Sequence, residues 1–229
     1  MSTTRPLIRF HIGGPAFHPV DKQADIVQAW LGDAYRYEVR DGVDAFDDLD
    51  RVDLLVLMGL HWTGMNADWA GSLTYRPMLD THKRSFDAYI RSGKPLLAYH
   101  GSVASYNDWP EFGRLVGVTW VWDYTTHSPF GKWTMRSLHT GHPIVRGIDT
   151  YMLEDEIYYA LALNADMQPT IHASVEYEGL DRPMVITAEG GRVEGAGKLL
   201  YLANGHDLRA FECHAIKTLW QNGISWLLG

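Results

Sequence analysis

The sequence has a single cysteine, Cys213, which excludes an intramolecular disulfide and leaves nothing that points to an oxidising compartment. No apolar run approaches the roughly 20 residues that span a bilayer. The start, Met1-Ser2-Thr3-Thr4-Arg5-Pro6, carries a basic residue but no apolar stretch, so no signal peptide and a cytoplasmic location are expected. Positive charge is scarce: 20 Lys and Arg against 28 Asp and Glu give a formal net charge of -8. Phosphate binding needs clustered cations, so no nucleic-acid partner is expected. The acidic residues are dispersed, as solubility alone would require. His-Glu-x-x-His and paired cysteines are also missing, so spacing alone announces no metal site.

What is present suits one globular domain over residues 1–229, with 46% hydrophobic and 21% charged residues and no repeat or linker. Leu7–Ile12 reads as a strand ended by Gly13-Gly14-Pro15. Asp21–Leu31 reads as a helix, with Asp21 placed to accept first-turn amides. Tyr35–Val39 reads as a short strand. Asp53–Met58, Pro95–Tyr99 and Lys198–Ala203 are apolar nearly throughout, the pattern of strands buried on both faces of a parallel sheet. Helices are expected over Thr81–Arg91, capped by Gly93, and over Ala210–Leu228. Further strands are expected at Trp133–Leu138, Gln168–Tyr177 and Met184–Ala188. Alternating strands and helices argue for an α/β fold built on βαβ units.

In an open parallel sheet, ligands bind beyond the carboxyl ends of the strands. Histidines follow those ends: His18 after the first strand, His61 after Asp53–Met58, His100 after Pro95–Tyr99, and His206 after Lys198–Ala203. Glycine accompanies most of them and lets backbone approach a ligand. Imidazole serves both as general acid or base and as metal ligand. For His18 and His61 singly, an ordinary loop histidine is the plainer reading; His100 and His206 carry the functional one. His100-Gly101-Ser102 has the form of a nucleophile elbow, a strand tipped by one polar residue before small residues open a helix. Ser102 is a candidate nucleophile or substrate contact, without a surrounding Gly-x-Ser-x-Gly. In Leu153-Glu154-Asp155-Glu156-Ile157-Tyr158, Asp155 or Glu156 is a candidate base or ligand beside Tyr158, against a solvated turn. His127 sits among turn residues as a further candidate. His139 and His142 share a metal-like spacing, but nothing there makes their rings face one another. Trp62, Trp69, Trp109, Trp120, Trp122 and Trp133 are candidates for stacking on sugar, with structural tryptophan the commoner role.

The stretch Lys94–Gly117, then His127, His142–Ile148, Asp155–Tyr158 and Gly205-His206 occur in the order seen in the ThuA-like (trehalose utilisation) family, which the chain resembles from about Asp53 onward. That resemblance implies a flavodoxin-like three-layer sandwich with a mainly parallel central sheet, similar to class I glutamine amidotransferases. Those enzymes carry a nucleophilic cysteine where this chain has His100. His206 would match their late histidine, but Leu208 occupies the place of its acid. Cys213 lies in another segment, so glutaminase activity is expected to be absent.

The resemblance further implies a sugar-active enzyme of carbohydrate utilisation, a hydrolase, lyase or isomerase acting on keto-glycosides. The expected catalytic groups are His100, His206, Glu156 and Asp155. Substrate contacts are expected from His61, Ser102, Tyr158 and Trp109. His100, His127 and His206 are expected to hold a divalent metal such as Zn or Mn, with no nucleotide cofactor. The expected partner is a small carbohydrate, with a homo-oligomer left open. The rival reading is a non-catalytic carbohydrate-binding or interaction module on the same fold.

Overall fold

The computed structural model describes residues 4–66 and 73–229. Trp69 lies outside the described residues. The centre is a nine-stranded sheet. Its strands are β1 (Leu7–Ile12), β2 (Arg36–Asp41), β3 (Leu54–Leu57), β4 (Leu96–Tyr99), β7 (Gly131–Ser137), β8 (Tyr151–Asp155), β11 (Thr170–Tyr177), β12 (Leu180–Ala188) and β13 (Leu199–Leu202). The short strands β5 (Val118–Thr119) and β10 (Ala162–Leu163) pair with each other, as do β6 (Thr126–His127) and β9 (Tyr158–Tyr159). The order is β2-β1-β3-β4-β13-β12-β11-β7-β8. The pairs from β2 through β13 are parallel, and those from β13 to β8 alternate antiparallel. Every strand except β12 and β7 therefore runs the same way, and the fold is the mainly parallel α/β sandwich expected.

The all-apolar strands β3, β4 and β13 are buried at every residue, as both-face burial requires. Four helices flank the sheet: α1 (Val20–Leu31), α2 (Asp80–Arg91), α3 (Glu111–Val116) and α4 (His214–Leu228). Register sets their faces. Phe10, Val56, Leu97 and Leu200 align across four strands, and Gly223 of α4 packs on Leu200. His11 and Leu57 point the other way, where Phe46 contacts His11, Phe86 of α2 and Phe112 of α3.

Four local readings are corrected. Asp21 makes no cap: α1 begins at Val20 after Pro19 with no side-chain bond at its start. The residues after His100 form a 3₁₀ turn, His100–Ala104, rather than an α-helix. The closing helix is interrupted at Cys213, with a separate 3₁₀ turn over Leu208–Glu212. The segment at Leu153–Asp155 is not a solvated turn but the end of β8, whose buried Leu153 and Asp155 alternate with more exposed neighbours. Because β8 runs with the parallel strands, its carboxyl end reaches the same edge of the sheet as theirs.

Candidate metal and acid/base site

Four chain segments deliver side chains to one point at that edge. The 3₁₀ turn after β4 starts with His100 in the left-handed region, at φ 42°. A left-handed conformation, uncommon for a non-glycine residue, makes the sharp turn of the elbow expected from the sequence. It turns the imidazole back so that Nδ1 lies 2.7 Å from the carbonyl oxygen of Ala203. A carbonyl only accepts, so Nδ1 is the protonated nitrogen and Nε2 of the neutral ring presents a lone pair. That Nε2 is buried without a hydrogen-bond partner and sits 3.4 Å from Glu156 Oε1.

Glu156 enters directly beyond β8. Its Oε1 is 3.1 Å from His206 Nδ1, and its Oε2 is 3.1 Å from His127 Nδ1. His18, from the loop after β1, places Nε2 3.2 Å from His206 Nδ1. One ligand atom from each of His18, His100, Glu156 and His206 lies within 4.8 Å of the others. His18 is thus a member of the cluster, although its sequence context reads as a plain loop. His127 is not in that set; it faces the outer oxygen of Glu156 and is half-exposed. Gly101 makes room for His18, since a Cβ there would stand 2.8 Å from its ring.

The electrostatics follow from three imidazoles packed around one carboxylate. Burial pushes the Glu156 carboxyl up, but His100, His127 and His206 pull it far below the carboxylate range. Burial, then His100 and His206, hold His18 well below the usual imidazole range, so it is neutral. Burial opposes the His100 imidazolium, yet Glu156 and Asp155 outweigh it and raise the group. Glu156 raises His127 against its partial burial.

Asp155 is brought to the site but not into it. Its Oδ1 accepts from the backbone amides of Glu156 at 2.9 Å and His206 at 3.0 Å. Its Oδ2 accepts from the amide of Gly205 at 2.7 Å and from Asn204 Nδ2 at 3.3 Å. With every lone pair engaged, Asp155 has nothing left to take a substrate proton; it holds the Asn204–His206 turn. Gly205 is required there, at φ 127°, because a Cβ would overlap the hydroxyl of Tyr99. The Gly205 carbonyl accepts from both Tyr99 Oη and Gln23 Nε2.

The other sequence candidates divide. Tyr158 belongs to the site, its ring 4.3 Å from that of His100. Ser102 is buried outside the cluster, and its Oγ accepts the Tyr99 amide at 3.1 Å, capping the turn. His61 lies one strand over, bonded through Nε2 to the Ile12 carbonyl and 5.1 Å from the His11 ring. Trp109 packs on Phe112 with Lys83 over its ring, contacting none of the cluster. Trp133 donates to the Asp155 carbonyl and meets Tyr177 edge-on. His142 Nδ1 accepts the Ile144 amide and its ring faces His172, so it makes no ligand pair with His139.

A cavity of about 340 Å³ opens onto the cluster, lined by His18, His127, Glu156 and His206 together with Trp62, Trp120 and Trp122. No helix among the described residues is long and apolar enough to cross a membrane.

Comparison with known proteins agrees with this architecture. A ThuA-like protein from Parabacteroides merdae has a TM-score of 0.73 at 17% identity, covering 97% of this chain and 90% of the other. A ThuA-like protein from Bacteroides uniformis gives 0.73 at 13% identity, covering 99% and 93%. A glutamine amidotransferase from Thermotoga maritima gives 0.50 at 10% identity, covering 99% and 94%. These likenesses concern the fold. Among curated proteins, none matches the sequence. The profile of the ThuA family, described as trehalose utilisation, matches residues 18–227, which span all four segments of the cluster. The chain belongs to the ThuA family.

Proposed function

We propose that this protein is a metal-assisted enzyme of carbohydrate utilisation, acting on keto-glycosides or related saccharides by general acid/base chemistry. The observation that carries the reading is the convergence of three imidazoles and one carboxylate at the strand ends, inside a tryptophan-walled cavity. The donor set suits Zn or Mn, which take neutral imidazole nitrogen together with carboxylate oxygen. The buried, unpartnered Nε2 of His100 supports this, because its lone pair is aimed at the cluster and nothing in the protein donates to it. A backbone carbonyl behind the opposite ring nitrogen is the usual way a ligand histidine is oriented. His18, His100, His206 and Glu156 would hold the ion. When bound, a divalent cation supplies Lewis-acid stabilisation of a carbonyl or enolate oxygen.

The chain's own groups account for the proton chemistry. A 3-keto group acidifies the C2 hydrogen of a glycoside. Removal of that proton lets the C1 substituent leave, and addition of water completes a net hydrolysis. His127 is the base best placed for the transfer. Its Nδ1 lies 3.1 Å from Glu156 Oε2 and 2.8 Å from the Ser128 carbonyl, so that nitrogen is a donor and Nε2 is the accepting atom. Glu156 orients His127 and stabilises its charged form, the part a carboxylate plays behind a catalytic histidine. A positioned base contributes roughly 10²–10⁴-fold. Tyr158 lies against His100 as a further contact for the bound sugar. Glutaminase chemistry is no part of the proposal, since His100 stands in the place of the nucleophile.

The test is elemental analysis of the purified protein together with turnover of a 3-keto-disaccharide. Near-stoichiometric Zn or Mn, and activity that collapses in His100→Ala and His206→Ala, are expected. A folded, metal-loaded protein inert on such sugars refutes the reading.

A further inference from the structure

Resting on that reading, we infer that Trp120 and Trp122 form a stacking platform for a neutral pyranoside, presenting its hydroxyl edge to His127 and Glu156.

The cavity beside the cluster is lined by two kinds of group: His18, His127, Glu156 and His206 supply polar atoms, and Trp62, Trp120 and Trp122 supply indole surface. A pyranose ring has the same division, with C–H faces and a rim of hydroxyls. An aromatic face gives such a ring area without a desolvation cost, while the rim needs hydrogen-bonding groups. Trp122 lies parallel to Trp62, with centroids 5.6 Å apart and planes 16° from parallel, while Trp120 is inclined 56° to Trp122 at 6.1 Å, so the platform is an angled corner in which one indole takes the sugar face and the other its edge. Trp120 meets Tyr158 edge-on at 4.9 Å, and Tyr158 is in turn against His100. The platform is therefore connected to the cluster by direct ring contact.

The carrier loop is held before any ligand arrives. The Trp120 amide donates to the Val103 carbonyl at 3.0 Å, which ties the loop to the turn after β4. Thr125 closes it: its Oγ1 accepts the Val121 amide at 2.8 Å and donates to the Ala160 carbonyl at 2.8 Å. The Thr125 amide donates to the Val121 carbonyl at 2.7 Å. These bonds explain why Trp122 stays partly exposed rather than turning into the core. A preordered aromatic surface loses little entropy on binding. Trp109 and Trp133, also flagged in the sequence, lack this setting and pack elsewhere.

Charge selects the ligand class. A second compartment of about 790 Å³ adjoins the first and shares Phe17 and His18 with it. Among the described residues, the two compartments contain Lys22 and no arginine, against Glu156, Asp21 and Asp41. Phosphate and carboxylate groups on sugars are recognised by arginine forks or clustered cations. The lining favours a sugar without them.

The experiment is calorimetric titration of the zinc-loaded chain with trehalose, maltose, cellobiose and glucose 6-phosphate. Binding of at least one neutral disaccharide is expected, together with none of the phosphate. Trp120→Ala and Trp122→Ala are each expected to weaken binding by about tenfold, with Trp120→Phe recovering most of the loss and zinc content unchanged. Trp122 is the exposed member, so its replacement tests the platform even where Trp120→Ala disturbs Tyr158. Neutral sugar binding that is unchanged in both alanine variants overturns the platform and leaves the proposed function standing. Preferential binding of glucose 6-phosphate overturns the charge argument. A zinc-loaded wild type that binds none of these sugars and turns over no keto-disaccharide overturns this inference and the proposed function together.

Discussion

Replacing Asp155 by asparagine separates an anchoring carboxylate from a catalytic one. Asparagine has the same shape but one accepting oxygen in place of two. Each oxygen of Asp155 receives two N–H donors, from Glu156 and His206 on one side and from Gly205 and Asn204 on the other. Whichever way the new carboxamide turns, its NH₂ group faces two donors that lose their acceptor. A hydrogen bond to a charged group contributes roughly 1.5–3 kcal/mol, so two lost bonds cost about 3–6 kcal/mol. Burial pushes the Asp155 carboxyl up, while His100 and the backbone amides of His206, Gly205 and Glu156 draw it back down. Removing the buried charge recovers part of the loss, and a net destabilisation of about 2–4 kcal/mol is expected. Urea unfolding of wild type and Asp155→Asn at pH 7, both stripped of metal, reads that number directly. Zinc titration of the same proteins should show affinity weakened by more than about tenfold, because in either orientation the Asn204–His206 turn loses part of its anchor. A variant as stable as wild type within about 0.5 kcal/mol, with intact zinc affinity but no activity, would refute the anchoring role and restore Asp155 as a base.

Three further perturbations test separate parts of the structure. His18→Ala should reduce metal affinity by more than about tenfold while His127→Ala leaves metal content intact, and the reverse order in elemental analysis would return His127 to the ligand set. Gly205→Ala should cost about 2–4 kcal/mol in chemical unfolding, since its Cβ would overlap Tyr99 at a φ of 127°; a melting temperature unchanged from wild type would contradict that geometry. Burial, and then neighbouring His142, lower the His172 imidazole to about 4. Above pH 6.5 both folded and unfolded His172 are neutral; as pH falls towards 4 only the unfolded chain takes the proton, so stability is lost across that window. Between pH 7.5 and 4.5 this amounts to about 2–3 kcal/mol, and the stability gap between wild type and His172→Gln should narrow or invert by that amount in paired urea titrations. A gap that does not move with pH would show that His172 is not held neutral.

Much of the framework is legible in the chain because its signals are local. Runs such as Leu54–Leu57 and Leu199–Leu202 are apolar at every position, and only strands covered on both faces bury such runs. The strand-end rule then leads to His100 and His206 without any coordinates. β8 is harder to find. Its residue Met152 is exposed, Glu154 is partly exposed, Asp155 is buried, and an acidic run reads as a solvated turn when its hydrogen-bond donors come from about fifty residues away. The signal that could have found it is the alternation of Tyr151, Leu153 and Asp155 against Met152 and Glu154. His18 was placed among ordinary loop histidines for a similar reason: its partners His100 and His206 are remote in sequence, and only Gly101, lacking a side chain, marks where it packs.

The sequence by itself determined most strands of the central sheet, the outlines of α1, α2 and α4, and the edge at which a ligand belongs, because each depends on residue type and spacing along one short segment; the place of His100 at a nucleophile's position comes from the family resemblance. The tertiary structure alone decided which groups meet. It put His18 rather than His127 into the cluster with His100, Glu156 and His206, and it set Asp155 as the anchor of the His206 turn. The physical reason is that a side chain's role depends on which lone pairs remain unused, and that depends on donors brought from distant parts of the chain. His100 illustrates both levels: its place at the end of β4 follows from the sequence, while the unpartnered Nε2 on which its proposed role rests is left over because Ala203 occupies Nδ1.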